Sequence, residues 1–99
     1  MRLNSEQIKA IREIVARRAG AGACVRVFGS RLRDDVRGGD LDMLVELPVP
    51  VENPALLSAQ IAVEVGRCMH GRNVDVVLSA PNLERLPIHA LAEKEGVML

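Results

Sequence analysis

Apolar residues Ile8, Ile11 and Val15 recur at helical spacing in "NSEQIKAIREIVARRAG", and Ile14 with Ala19 broadens the stripe. Asn4 followed by Gln7 has the form of a capping box, while Gly20 and Gly22 supply a stop. The spacing therefore predicts an amphipathic helix with Arg17 and Arg18 near its negative end, where their charge is favoured. Next, "CVRVFG" is short, β-branched and bounded by glycines, which predicts a strand. "RLRDDVRGG" is polar and ends in two glycines, so it reads as a turn or short helix followed by a loop. "DLDMLVEL" alternates as a strand, with Asp40, Asp42, Leu44 and Glu46 on one face and Leu41, Met43, Val45 and Leu47 on the other.

After the break "PVPVENP", Asn53 as N-cap and Pro54 at the first helical position begin a helix. Leu57, Ile61, Val65 and Cys68 form its stripe and Gly71 closes it. "NVDVVLS" reads as a third strand, with Val74, Val76 and Leu78 on one side and Asp75 with Val77 on the other. Pro81 ends it. "LERLPIHALAEKEG" is a turn leading into a last helix that starts at Pro87, buries Ile88 and Leu91 and stops at Gly96. The predicted order is helix, strand, strand, helix, strand, helix. Each element has one apolar face to hide, so the expected fold is α+β, with a three-stranded sheet layered against helices. The helical connection between the second and third strands allows them to be parallel neighbours.

The chain has 99 residues, the size of one small domain, and no repeat or linker divides residues 1–99. At 48% hydrophobic and 26% charged residues the chain reads as an ordinary folded protein. Phe28 is the lone aromatic, which leaves the core to Leu, Val, Ile, Ala and Met. Thirteen basic residues balance thirteen acidic ones, which argues against direct nucleic-acid binding as the main task. Cys24 and Cys68 lie in segments that read as core and lack metal-ligand spacing, which suits reduced thiols in a cytoplasmic protein. His70 and His89 have no ligand-spaced partner and read as surface or helix-end residues. Neither a membrane-spanning run nor a signal peptide is expected.

The aspartates ask for an explanation, because a carboxylate within an apolar strand is costly unless it is paired or binds a metal. Asp40 and Asp42 project from the same face, about 7 Å apart at the backbone. Asp75 is the other aspartate set inside an apolar strand, and if the two strands are neighbours three carboxylates meet. Carboxylate oxygens suit Mg²⁺ or Mn²⁺, whose remaining positions go to water and substrate phosphates. Gly29 and Ser30 stand where a strand gives way to a possible helix start, a place where backbone N–H groups attract phosphate oxygens. A structural reading stands beside this one: Asp40 after two glycines is also a common turn residue that caps its own backbone. Arg31 follows the glycine-serine corner and can serve either as a triphosphate ligand or, with Arg33 and Arg37, as a solvated charge balanced by Asp34 and Asp35.

Gly29-Ser30, nine residues, Asp40-x-Asp42 in an apolar strand and a lone Asp75 in a later one resemble the signature of the nucleotidyltransferase superfamily. That superfamily includes kanamycin nucleotidyltransferase and DNA polymerase beta, and the short chain is most similar to its minimal nucleotidyltransferases. The resemblance runs from the opening helix through "FGSRLR", "GGDLDMLVEL" and "VDVVLS" to "EKEGVML". One departure is Gly39, where many relatives carry serine before the first paired aspartate.

The resemblance implies the nucleotidyltransferase fold, a small mixed sheet packed against helices. It implies that Asp40 and Asp42 coordinate two divalent ions, Mg²⁺ or Mn²⁺, that Asp75 completes the inner site, and that Gly29, Ser30 and Arg31 hold the triphosphate. The implied reaction moves a nucleoside monophosphate, AMP from ATP, to an acceptor and releases pyrophosphate. Minimal nucleotidyltransferases are often encoded beside a helical HEPN-type protein, which implies that partner as acceptor and an antitoxin role. Larger relatives carry an additional acceptor-binding domain, so the acceptor site is expected from a partner protein or from another copy in a homo-oligomer. The competing expectation is a nucleotide-binding module that docks on its partner without turnover.

Overall fold

A reciprocal cap opens the first helix. In the computed structural model, which describes residues 3–29 and 41–99, α1 spans Ser5–Ala19 with Asn4 as its N-cap. The Gln7 N–H donates to Asn4 Oδ1 at 2.8 Å and the Asn4 N–H donates to Gln7 Oε1 at 3.0 Å. Two backbone donors that the helix itself cannot satisfy thus gain partners, as the Asn4 and Gln7 spacing predicts. Ile11, Ile14 and Val15 are buried along the helix, and Gly20, with φ 101, ends it in a conformation that disfavours any other residue.

Three further strands and two helices follow β1, which spans Cys24–Phe28: β2 (Leu41–Glu46), α2 (Pro54–Cys68), β3 (Val74–Ser79), α3 (Pro87–Glu95) and β4 (Val97–Met98). The sheet runs in the order β3-β2-β1-β4, with β1 antiparallel to β2 and β4 and with β2 parallel to β3. The α+β class with a small mixed sheet is as expected. The fourth strand is an addition to the three that the pattern predicts. Two residues cannot display a period, and β4 exists because Arg26 and Val27 of β1 offer it an edge.

Helices cover both faces of the sheet. Val25, Val27, Leu41, Met43, Val45 and Leu78 turn toward α1 and α2 and join Ile11, Ile14, Val15, Ile61 and Val65 in the larger apolar cluster. On the opposite face Phe28 and Leu44 pack with Ala92 of α3, flanked by Val77 and Ile88. Met43 and Leu44 are each 0% exposed, so β2 is core on both sides. Each such side chain contributes about 1.5–3 kcal/mol, enough to hold the strand despite its half-buried aspartate.

Several core assignments shift. Cys24 and Cys68 are exposed rather than buried. Cys24 lies beyond the part of its face that α3 covers. On α2 the buried row continues at four-residue steps from Ile61 and Val65 to Met69, which leaves Cys68 about 100° around the helix. The helix ends at Cys68 rather than at Gly71, with Met69 as C-cap. The Gly71 N–H donates to Gly66 O at 2.9 Å, and His70 takes a left-handed φ of 59, which together make a Schellman-type turn. Leu91, expected in the core, is 43% exposed, and His89 is buried at 3%.

His89 owes its burial to two backbone partners. The Leu86 N–H donates to Nδ1 at 2.8 Å, so the ring proton belongs on Nε2, which donates to Leu78 O at 2.8 Å. One imidazole thus completes the first turn of α3 and ties that helix to β3. Farther along, Gly96 carries the chain into β4 so closely that a Cβ there would stand 2.3 Å from Ala92 O and 3.3 Å from Arg26 Cβ. At the far end of the sheet Asn82 bridges two loops, accepting from the Val51 N–H at 2.9 Å and donating to Val51 O at 2.8 Å. Among the described residues, no helix is long and apolar enough to cross a membrane.

Replacing His89 with Ala leaves a buried carbonyl and an N–H unpaired, and should lower unfolding free energy in urea by about 2–3 kcal/mol. A second expectation concerns the α1–α2 contact, where Glu64 accepts from Arg17 at 2.8 Å and also pairs with Arg18 Nε. The hydrogen bonds from Arg18 and then Arg17 hold the Glu64 carboxyl below its ordinary pKa. The stabilisation is therefore complete above the ordinary carboxylate range and is lost as pH falls through the lowered value. Thermal melts should show Glu64→Gln below the parent at neutral pH, with the gap closing in acid and shrinking in about 1 M salt.

Candidate active site

β2 turns Asp42 toward the face that carries α3, the same face as Leu44 and Glu46. Its register partners are Phe28 on the antiparallel side and Asp75 on the parallel side. Partners in register project from one face, and adjacent strands stand about 4.8 Å apart, so the two carboxylates leave the sheet side by side. They lie beyond the apolar patch of Phe28, Leu44, Ala92 and Val77. Asp42 is half-buried there, and Asp75, on the outermost strand, is exposed.

Gly29 closes the other side of Asp42. It follows Phe28 with φ 80, and a Cβ at this position would meet Asp42 Oδ2 at 2.3 Å and Cγ at 3.2 Å. Two features therefore demand glycine: a left-handed backbone and a carboxylate occupying the space of a side chain. From sequence, Gly29 is a residue that lets phosphate approach the main chain. The contact with Asp42 has no signature in the sequence, because nothing in the spacing between the two motifs tells that they touch.

Of the sequence-predicted site residues, the structure brings Gly29, Asp42 and Asp75 together at one end of the sheet. Ser30, Arg31 and Asp40 lie outside the described residues, as does the stretch "RLRDDVRGG". Among the described residues no group of three or more His, Cys, Asp or Glu stands ready for a metal, and Asp42 with Asp75 is a pair. The donor chemistry of that pair fits a hard divalent cation, since carboxylate oxygens are the usual protein ligands of Mg²⁺ and Mn²⁺. The glycine at 29 fits the same role, because it leaves the Asp42 carboxylate its place beside the chain.

The charges at the opposite end of this face balance one another. Arg26 Nε donates to Glu46 Oε1 at 2.8 Å, which raises the guanidinium pKa. Arg85 grips Glu93 of α3 with both terminal nitrogens, Nη1 at 3.2 Å, and this holds the Glu93 carboxyl below its ordinary pKa. A groove of about 590 Å³ lies elsewhere, between α1 and the start of β1, where Ile8, Val15, Val25 and Leu99 line it. It sits at the end of β1 away from Gly29 and shares no residue with the carboxylate pair.

No curated protein matches the chain. A family model described as a nucleotidyltransferase domain matches residues 8–98, from within α1 to the end of β4, and so takes in every strand and all three motif segments. With that span matched and Asp42 set beside Asp75, the chain belongs to the nucleotidyltransferase domain family, that of the minimal nucleotidyltransferases, and is a transferase of nucleotidyl groups.

Proposed function

We propose that this chain transfers a nucleoside monophosphate, AMP from ATP, to an acceptor in a reaction that depends on divalent metal. The observation that supports this most directly is the register of Asp42 against Asp75, with Gly29 seated on the Asp42 carboxylate. Asp40, Asp42 and Asp75 would hold two Mg²⁺ or Mn²⁺ ions. Bound there, such ions lower the pKa of an attacking hydroxyl and neutralise charge on the departing pyrophosphate.

The chain's own residues divide the remaining work. Gly29, with no Cβ, leaves the Asp42 carboxylate room against the main chain. Gly29 and Ser30 receive triphosphate oxygens on backbone N–H groups and a hydroxyl, and Arg31 adds a guanidinium fork. Asp75 is exposed on the outermost strand among the described residues, where an acceptor can approach without displacing α3. Positioning and electrostatics carry most of the rate in phosphoryl chemistry of this kind.

The acceptor in this reading is a HEPN-type helical protein encoded next door, and the pair forms a cytoplasmic toxin–antitoxin system. That assignment is what the resemblance to minimal nucleotidyltransferases implies. The test is incubation with Mg²⁺ and ATP labelled at the α-phosphate, with and without the neighbouring protein. Label on the partner is the expected result. A tight complex without label, unchanged by Asp42→Asn, would replace the enzyme with a nucleotide-binding module that acts by docking.

Asp42→Asn and Asp75→Asn should each lower transfer by about 10²-fold or more while leaving the melting temperature nearly unchanged. Gly29→Ala should cost both activity and stability, the latter by about 1–3 kcal/mol, because its methyl and the Asp42 carboxylate cannot share one place. Initial rates of label transfer and urea titrations check the three variants together.

A further inference from the structure

β3 is the outermost strand on the carboxylate side of the sheet. The Leu41 N–H donates to Asn73 O at 3.0 Å and the Leu47 N–H to Ser79 O at 2.8 Å. Odd-numbered residues of this strand therefore turn their backbone groups toward β2, while Val74, Val76 and Leu78 turn theirs outward. Leu78 is closed off, because His89 Nε2 occupies its carbonyl at 2.8 Å. At Val74 and Val76 the outward N–H and C=O groups have no partner among the described residues.

Proteins ordinarily guard such an edge with a lysine, a proline or a bulge. Here the bordering side chains are Val74, Val76 and Val77, and the carboxylate pair stands in the middle of the gap at Asp75. A second feature adjoins it on the α2 side of the sheet. A groove of about 320 Å³ opens beside the start of the strand, lined by Ala62, Val63, Gly66, Arg67 and Val74. Val63 is 53% exposed within it, although it belongs to a helix whose other valine at the sheet, Val65, is fully buried.

These features together match strand addition, in which main-chain hydrogen bonds give affinity and pockets for alternate side chains give specificity. We infer that the partner protein presents its acceptor hydroxyl on an extended segment that pairs with the edge of β3 left unpaired among the described residues, with a reactive serine or threonine opposite Asp75 and apolar residues on either side. The inference rests on the nucleotidyl-transfer reading and specifies the acceptor for it. Alternation dictates the pattern: the residue opposite Asp75 projects onto the carboxylate face, its two neighbours project to the α2 side, and the one beside Val74 meets the groove next to Val63. Serine and threonine are favoured because adjacent strands are about 4.8 Å apart, within reach of a short side chain. In the step, the acceptor oxygen bonds to the α-phosphorus as the bond to the α–β bridging oxygen breaks. Pyrophosphate leaves with that electron pair, and the hydroxyl proton passes to solvent.

The probe is the peptide Lys-Ala-Val-Ser-Val-Ala-Lys, added to the full chain with Mg²⁺ and α-labelled ATP, while backbone amides are followed by NMR. The expected result is peptide-dependent shifts and slowed exchange at the Val74 and Val76 amides, with label on the serine. Val76→Pro removes one outward donor without touching the ladder to β2, and should lower peptide labelling about tenfold while leaving ATP affinity unchanged. Val63→Glu, on an exposed helix position, should do the same by charging the groove, and keeps the test sound if the proline variant fails to fold. Label without shifts at Val74 and Val76, equal labelling in both variants, or labelling of a tyrosine peptide in preference to serine would overturn the inference while nucleotidyl transfer stands. Shifts at Val74 and Val76 without label, in parent and Asp42→Asn alike, would support strand addition and defeat the transfer reading instead.

Discussion

The parallel pairing of β2 with β3 in a single register is the constraint on which the carboxylate end depends. Opposite Asp42 the pairing sets Asp75, and a slip of one residue would send one of the two to the far face. What prevents the slip is the apolar side chain on each side of Asp42. Leu41 and Met43 are 0% exposed on the α1–α2 face, so moving either outward would sacrifice core packing of several kcal/mol. The position of a hydrophilic pair is thus enforced by hydrophobic neighbours, and the site inherits the rigidity of the core.

α3 limits where that site can be. It crosses the face that bears the aspartates, anchored to β3 through His89 and to β1 through the close approach of Gly96 to Arg26. Between those anchors it covers Phe28 and Leu44 and excludes water from the middle of the face. At one end Arg26, Glu46, Arg85 and Glu93 satisfy each other, and at the other Asp42 and Asp75 meet beside Gly29. The two ends of one sheet face therefore differ in kind: one joins arginines to glutamates, the other sets two aspartates in register.

Much of this was legible from the residues. Helix starts at Asn4 and Asn53 follow from side chains that can accept a backbone N–H, and the alternation assigns the faces of Leu41–Glu46 and Val74–Ser79 correctly. The neighbouring aspartates could be anticipated once a helical connection made the two strands parallel. Other features depend on contacts that periodicity cannot report. Cys68 fits an apolar stripe by spacing, but the helix meets the sheet along the row that ends at Met69. His89 looks like a surface residue until Leu78 O and the Leu86 N–H are brought to it by the fold. β4 is too short for any pattern. The dependence of Gly29 on Asp42 joins two segments separated by a polar stretch, and only the antiparallel return of β2 beside β1 reveals it.

The unequal size of the two apolar clusters has a consequence for how the molecule opens. The cluster beneath α1 and α2 is extensive, whereas that beneath α3 consists of Phe28, Leu44 and Ala92 with Val77 and Ile88 at its border. Partial unfolding follows the cheaper boundary, so α3 and β4 form the cooperative unit that detaches first while the remaining sheet persists. In that transient state Leu44 and Phe28 face water and the protection of their side of the sheet is lost, so the same helix that shields the middle of this face also sets the threshold for premature self-association.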